Sequence, residues 1–123
     1  MMERQPTTRV LSMPKDTNAA GDIFGGWIMS QVDIAASIAA HRRAKGRVVT
    51  VAVNEFQFHQ PVYVGDLISC YADIVKVGNT SLTVHVEVIA ERDRGVEQRL
   101  KVTEANLTFV AVDENGKKRQ VPD

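Results

Sequence analysis

The stretch "NAAGDIFGGWIMSQVDIAASIAAHRRAKG", Asn18 to Gly46, constrains the fold more than any other part of this 123-residue chain. It reads as one long helix from about Phe24 to Lys45, with Gly46 placed as its C-terminal stop. His41, Arg42, Arg43 and Lys45 crowd the last turn, where cations complement the exposed carbonyls. Ile28, Val32, Ala35 and Ala39 lie along one stripe of this helix, and Trp27, Ile34 and Ile38 along another. A helix apolar on most sides is one that a sheet wraps or a partner covers.

The rest of the chain supplies the sheet. "TTRVLSM", Thr7 to Met13, predicts a short strand that Pro14 ends, and "KDTNAAGD" reads as a loop. After Gly46 come "RVVTVAVNEFQF", "LISCYADIVKV", "TSLTVHVEVIA" and "RLKVTEANLTFVAV", separated by "HQPVYVGD", by Gly78-Asn79 and by "RDRGVEQ". Alternation puts Ile68, Cys70, Ala72 and Ile74 on one face of the second of these. In the third it sets Leu82, Val84, Val86 and Val88 against Thr83, His85 and Glu87. Short connections permit antiparallel neighbours but not parallel crossovers. The expected architecture is α+β: one curved antiparallel sheet with a single helix across its concave face. Residues 1–123 form one domain, with 1–6 and 118–123 as loose tails.

Composition removes several function classes. Acidic and basic residues balance at 15 each, so no global field points to nucleic acid or an anionic membrane. The lysine-arginine tail is too short for a nucleic-acid arm. No apolar run approaches the ~20 residues that span a bilayer, and the start lacks a signal pattern. Cys70 is the single cysteine, which precludes an internal disulfide and suits the cytoplasm; it reads as an apolar filler on a strand. His41, His59 and His85 are scattered without metal-ligand spacing, so no metal is expected.

The helix itself carries the chemistry. Gly26, Met29, Ser30, Asp33, Ala36, Ser37 and Ala40 share a third stripe built mainly of small residues, leaving room for a ligand or another helix. A carboxylate at Asp33, if buried there, has its pKa pushed upward, as a general base requires. Its bland alternative is a bond to Ser30, Ser37 or a neighbouring strand. The first N–H groups of a helix lack intrahelical partners, and Gly25 and Gly26 would let a ligand carbonyl approach them. The alternative for the glycine pair is tight packing of the helix start against the sheet. Gly26 and Asp33 share a face but stand about 10 Å apart along the axis. A two-fold dimer solves this: one subunit offers its glycine N–H groups, the other its Asp33, giving composite sites.

Three blocks, "MPKDTNAAGDIFGGWIMSQVD", "GRVVTVAVNEFQFHQPVYVGD" and "TFVAVDENGKKRQVP", resemble the YciA-type acyl-CoA thioesterases of the hot-dog fold, from about Met13 to Pro122. The resemblance implies hydrolysis of acyl-CoA to free acid and coenzyme A, without a separate cofactor. It also implies edge-to-edge dimers that assemble further, as trimers of dimers. The family's catalytic aspartate matches Asp33, its helix-start carbonyl site matches Gly25-Gly26, and a loop asparagine matches Asn18. Thr50 is carried over as a hydroxyl near the carboxylate. Asp33 would activate water or attack the thioester to form an anhydride. The family pattern often has Asn at Ala20 and glycines at Ala36 and Ser37, departures that bear on pocket shape and acyl preference.

Coenzyme A is polyanionic, so its site calls for basic groups near the surface. Candidates are Arg47, Lys76, Lys117, Lys118 and Arg119, with Gly78, Asn79, Thr80 and Ser81 as backbone and hydroxyl donors. Two rivals are a hot-dog hydratase or dehydratase, which would pair His59 with Asp33, and a non-catalytic acyl-CoA sensor.

Overall fold

The computed structural model describes residues 4–93 and 95–123. The frayed start expected at 1–6 therefore falls partly outside the described residues. Among the described residues, five strands and one long helix follow in the order β1 (Thr8–Leu11), α1 (Gly25–Ala44), β2 (Val48–Phe58), β3 (Leu67–Val77), β4 (Ser81–Asp93) and β5 (Glu97–Ala111), with a 3₁₀ turn at Pro14–Asp16. The strands form one antiparallel sheet in the order β1-β3-β4-β5-β2.

The core lies between α1 and the concave face of the sheet. Alternation in β4 buries Leu82, Val84, Val86 and Val88, and their partners across the ladder include Phe109, Leu107, Ala105 and Thr103, all buried. Ile28, Val32, Ala35, Ala36, Ala40 and Ala44 are the buried residues of α1. Alanine on this face lets the helix axis approach the sheet closely while keeping the best helix propensity.

The sheet order is not a simple meander. β2 pairs with β5, not with β3, so β2 and β1 are opposite edges. The connection over residues 59–66 carries the chain across the end of the sheet, past the start of α1. β2 is thus an edge strand with no neighbouring strand on its outer side among the described residues. It is bent by two register shifts, and Glu55 within the second takes a left-handed φ of 55°.

Three expectations need correction. The sheet covers only one side of α1, leaving Ile34 48 % and Met29 43 % exposed, because one chain's curved sheet encloses half a helix. Asp33 is accordingly half-buried rather than buried within one chain. The helix stop centres on Lys45, left-handed at φ 54°, with its N–H donating to the His41 carbonyl; Gly46 shares in it, its N–H reaching the same carbonyl at 3.2 Å. The segment 118–123 is docked, not loose: Arg119 N–H donates to the Ala111 carbonyl and Val121 N–H to that of Asn79, and Val121 is buried. Arg43 Nη1 also reaches the Pro122 carbonyl at 2.6 Å.

Cys70 is 1 % exposed, and burial pushes its thiol up from the ordinary value. We expect an aromatic disulfide reagent to leave it unmodified in the native protein. One equivalent should react only at the denaturant concentration where tertiary structure is lost; rapid native labelling would contradict this packing.

Candidate active site

The start of α1 borders a cavity of about 410 Å³, whose lining includes Asn18, Asp22, Gly25, Phe58 and His59. Phe24 is the N-cap residue and supplies no side-chain cap, while its carbonyl accepts the N–H groups of Trp27 and Ile28. The N–H groups of Gly25 and Gly26 have no acceptor among the described residues. These two donors sit at the positive end of the helix and point to an anion or a polarised carbonyl oxygen.

The glycines differ in purpose. A Cβ on Gly26 would meet nothing within 4 Å, so that position is open. A Cβ on Gly25 would stand 3.2 Å from Cζ of Phe58, so Gly25 is the seat of an aromatic ring from β2. For Gly25 the packing reading is therefore part of the answer. Asn18 builds the loop before the helix: its Oδ1 accepts the N–H of Ala20 at 2.9 Å and of Asp22 at 3.1 Å. Asn18 lines the cavity, and its amide NH₂ has no acceptor among the described residues.

Asp33 lies seven residues along α1 from Gly26 and does not line this cavity. Its Oδ1 accepts a hydrogen bond from Thr50 Oγ1 at 2.7 Å, so β2 holds the carboxylate in one orientation. Thr50 is thus brought to Asp33, while Asn18, Gly25 and Gly26 form a separate group at the helix start. His59 borders the helix-start cavity and Asp33 does not, so one chain does not unite the acid–histidine pair of a hydratase.

At the far end of α1 a second cavity, of about 440 Å³, is lined by Ser37, Ile38, His41, Arg42, Arg47 and Val48. Sequence reasoning singled out Arg47 but not His41 or Arg42 as lining residues; their clustering in the last helical turn was the available signal. Lys76, Lys117 and Lys118 are exposed and line neither cavity. Arg119 is largely committed within the fold, its Nε donating to the Val112 carbonyl at 2.9 Å. The turn Gly78, Asn79, Thr80 and Ser81 spends backbone groups internally: Gly78 N–H donates to the Ser81 carbonyl, and the Thr80 carbonyl accepts from Ala111.

The wall formed by residues 59–66 is braced from behind. Asp66 is 1 % exposed and accepts from Arg92 Nε at 3.0 Å, Arg92 Nη2 at 2.7 Å and the Tyr63 N–H at 2.9 Å. The Asp66 carboxylate raises the Arg92 guanidinium further above its usual range. Arg92 also stacks over the Tyr63 ring and reaches the Pro61 carbonyl. No motif announced this pair, because its members are 26 residues apart.

The outer face of the sheet gathers His85, Glu87 and Glu104 within 4.8 Å of one another. Lys101 pairs with both glutamates, and its ammonium holds the Glu104 carboxyl below the usual range. His85 Nδ1 is engaged by Asn106 Oδ1 at 2.9 Å. Each of the three side chains has a protein partner.

Residues 20–97 match the model of the thioesterase superfamily. Acyl-CoA thioester hydrolase YciA of Escherichia coli strain K12 is 51% identical over 116 residues, covering 93% of this chain and 88% of that protein. A hexameric hotdog fold thioesterase of Campylobacter jejuni superposes with a TM-score of 0.93 at 46% identity, covering 97% of this chain and 91% of the other. The hexameric thioesterase of Yersinia pestis gives 0.92 at 48% identity, covering 100% and 99%. The chain belongs to the thioesterase superfamily, and within it to the hot-dog-fold acyl-CoA thioester hydrolases of the YciA type.

Proposed function

We propose that this protein hydrolyses acyl-CoA thioesters to a free carboxylic acid and coenzyme A. The observation that carries the reading is the pair of unsatisfied N–H groups at Gly25 and Gly26 opening beside a cavity, on the same helix as an oriented carboxylate. A thioester carbonyl oxygen at the helix start receives those hydrogen bonds, which strengthen as negative charge develops on it. Asn18 adds a donor for that oxygen or for water. Asp33 takes the proton of the attacking water, or attacks the carbonyl carbon itself to form an anhydride that water then opens. In either route the C–S bond breaks and the electron pair leaves on sulfur. A thiolate leaves readily, so no strong general acid is required.

The two groups stand about 10 Å apart on one helix, which favours a composite site. In a two-fold dimer the Asp33–Thr50 pair of one subunit would face the Gly25-Gly26 donors of the other. The unpaired edge of β2 and the exposed Ile34 and Met29 support such pairing. Assembly into a hexamer follows the relatives described above. In antiparallel pairing, the basic end of the partner's helix lies toward the loop holding Asn18, which makes Arg47 a candidate for the phosphates of coenzyme A.

The domain works without a separate cofactor, since coenzyme A is part of both substrate and product. No helix among the described residues is long and apolar enough to cross a membrane. A single reduced cysteine fits the cytoplasm.

The test is release of free thiol from a panel of acyl-CoA esters, run beside loss of the enoyl chromophore from an α,β-unsaturated acyl-CoA. Turnover in the first assay alone supports the thioesterase. Turnover in the second alone would establish a hydratase, and binding without either would establish a sensor.

A further inference from the structure

Phe58 is a large aromatic side chain left 52 % exposed at the end of β2, yet its backbone is firmly held. The Thr103 hydroxyl bonds to the Gln57 carbonyl, and His59 N–H donates to that of Val102 at 2.8 Å. The second register shift of β2, with Glu55 left-handed, aims Phe58 at the helix instead of along the ladder. Its ring then rests on the helix start: Cζ, Cε2 and Cε1 lie 3.2, 3.7 and 3.9 Å from where a Gly25 Cβ would stand. Phe56 steadies the ring, with centroids 4.9 Å apart and planes tilted by 56°.

The same ring walls the cavity at the helix start, together with the apolar Ile23, Ile28, Pro61 and Val62. The helix start, with Gly25 at one rim, and an apolar lining beyond it match a ligand with a polar head and a hydrocarbon tail. A carbonyl oxygen held at the helix start sends its alkyl chain past the Phe58 ring. We propose that Phe58 determines acyl specificity, closing the acyl end of the cavity and setting the length and bulk of chain admitted. Gly25 belongs to the same device, since a Cβ there, 3.2 Å from Cζ of Phe58, would force the ring off its seat on the helix. This rests on the thioesterase reading and assigns a residue role beyond it.

The experiment is kcat/KM for straight-chain acyl-CoA esters from acetyl to decanoyl, measured on wild type, Phe58→Ala, Phe58→Leu and Phe58→Trp as the intact assembly. Opening the wall with Phe58→Ala raises the ratio of long-chain to short-chain kcat/KM at least about 10- to 100-fold, since removing the ring frees more space than the single methylene that commands such a range. Phe58→Leu gives a smaller rise, and Phe58→Trp lowers the ratio. A chain-length ratio that stays within about twofold across folded variants, with all esters slowed together, would overturn the proposal. If the alanine variant does not fold, the leucine and tryptophan variants decide, because both keep a large apolar group over Gly25. Failure of the thioesterase reading looks different: wild type itself would release no thiol from any ester, and both readings fall together.

Discussion

Asp33→Asn is expected to lower kcat by about 10²–10⁴-fold while leaving the fold and assembly unchanged. The substitution keeps the size of the side chain and an oxygen that can accept the Thr50 hydroxyl, now 2.7 Å from the carboxylate. What it removes is the capacity to take a proton from water or to attack carbon. A half-exposed position on the open flank of α1 makes structural damage small, so the effect falls on turnover. Far-UV spectra and sizing report the fold, and thiol release reports kcat. A variant retaining more than about a tenth of wild-type kcat would remove Asp33 from the chemistry. Single-turnover hydrolysis in oxygen-labelled water tests the anhydride route, because label enters the enzyme's own carboxylate only when water opens an anhydride at the Asp33 carbon.

The second large effect concerns stability. Arg92→Met keeps an apolar stem but strips Asp66 of both guanidinium hydrogen bonds, leaving a carboxylate that is 1 % exposed. Breaking one side of a buried pair costs about 3–5 kcal/mol. At fixed protein concentration that corresponds to a fall in Tm of about 10–20 °C for a chain of this size. The double replacement Asp66→Asn with Arg92→Met should recover a large part of the loss, since the unpaired charge disappears and an acceptor for the Tyr63 N–H remains. If the single variant melts within about 2 °C of wild type, the pair does not brace the wall of the cavity. Because that wall carries His59, Pro61 and Val62, activity in the single variant should be lost below its Tm.

Elements whose signals are local were readable in advance. The helix announces itself by composition and by the cationic last turn, and β4 by its strict alternation; both form where expected. Asp33 and the glycine pair stand out because a carboxylate and two glycines contradict the apolar run around them. The C-terminal tail departs from its polar composition for a related reason. "KKRQVPD" is polar as a string, yet the buried Val121, with backbone hydrogen bonds at Arg119 and Val121 and the Arg43 contact to Pro122, docks it beside the turn at Asn79. A few contacts in the right place outweigh an average over the string.

By itself the sequence determined that one long helix lies against an antiparallel sheet, and that a carboxylate and helix-start donors share that helix. Those facts follow from 3.6- and 2-residue periodicities and from the chemistry of side chains. Only the tertiary structure decided that β2 lies at the far edge beside β5, because strand order is set by contacts among segments distant in the chain. Only it distinguished the two glycines, since the ring seated on Gly25 belongs to Phe58, outside α1. It also decided that one chain half-exposes Asp33. A single curved sheet can cover one side of a helix, and the remaining side, with its acid, stays half-exposed.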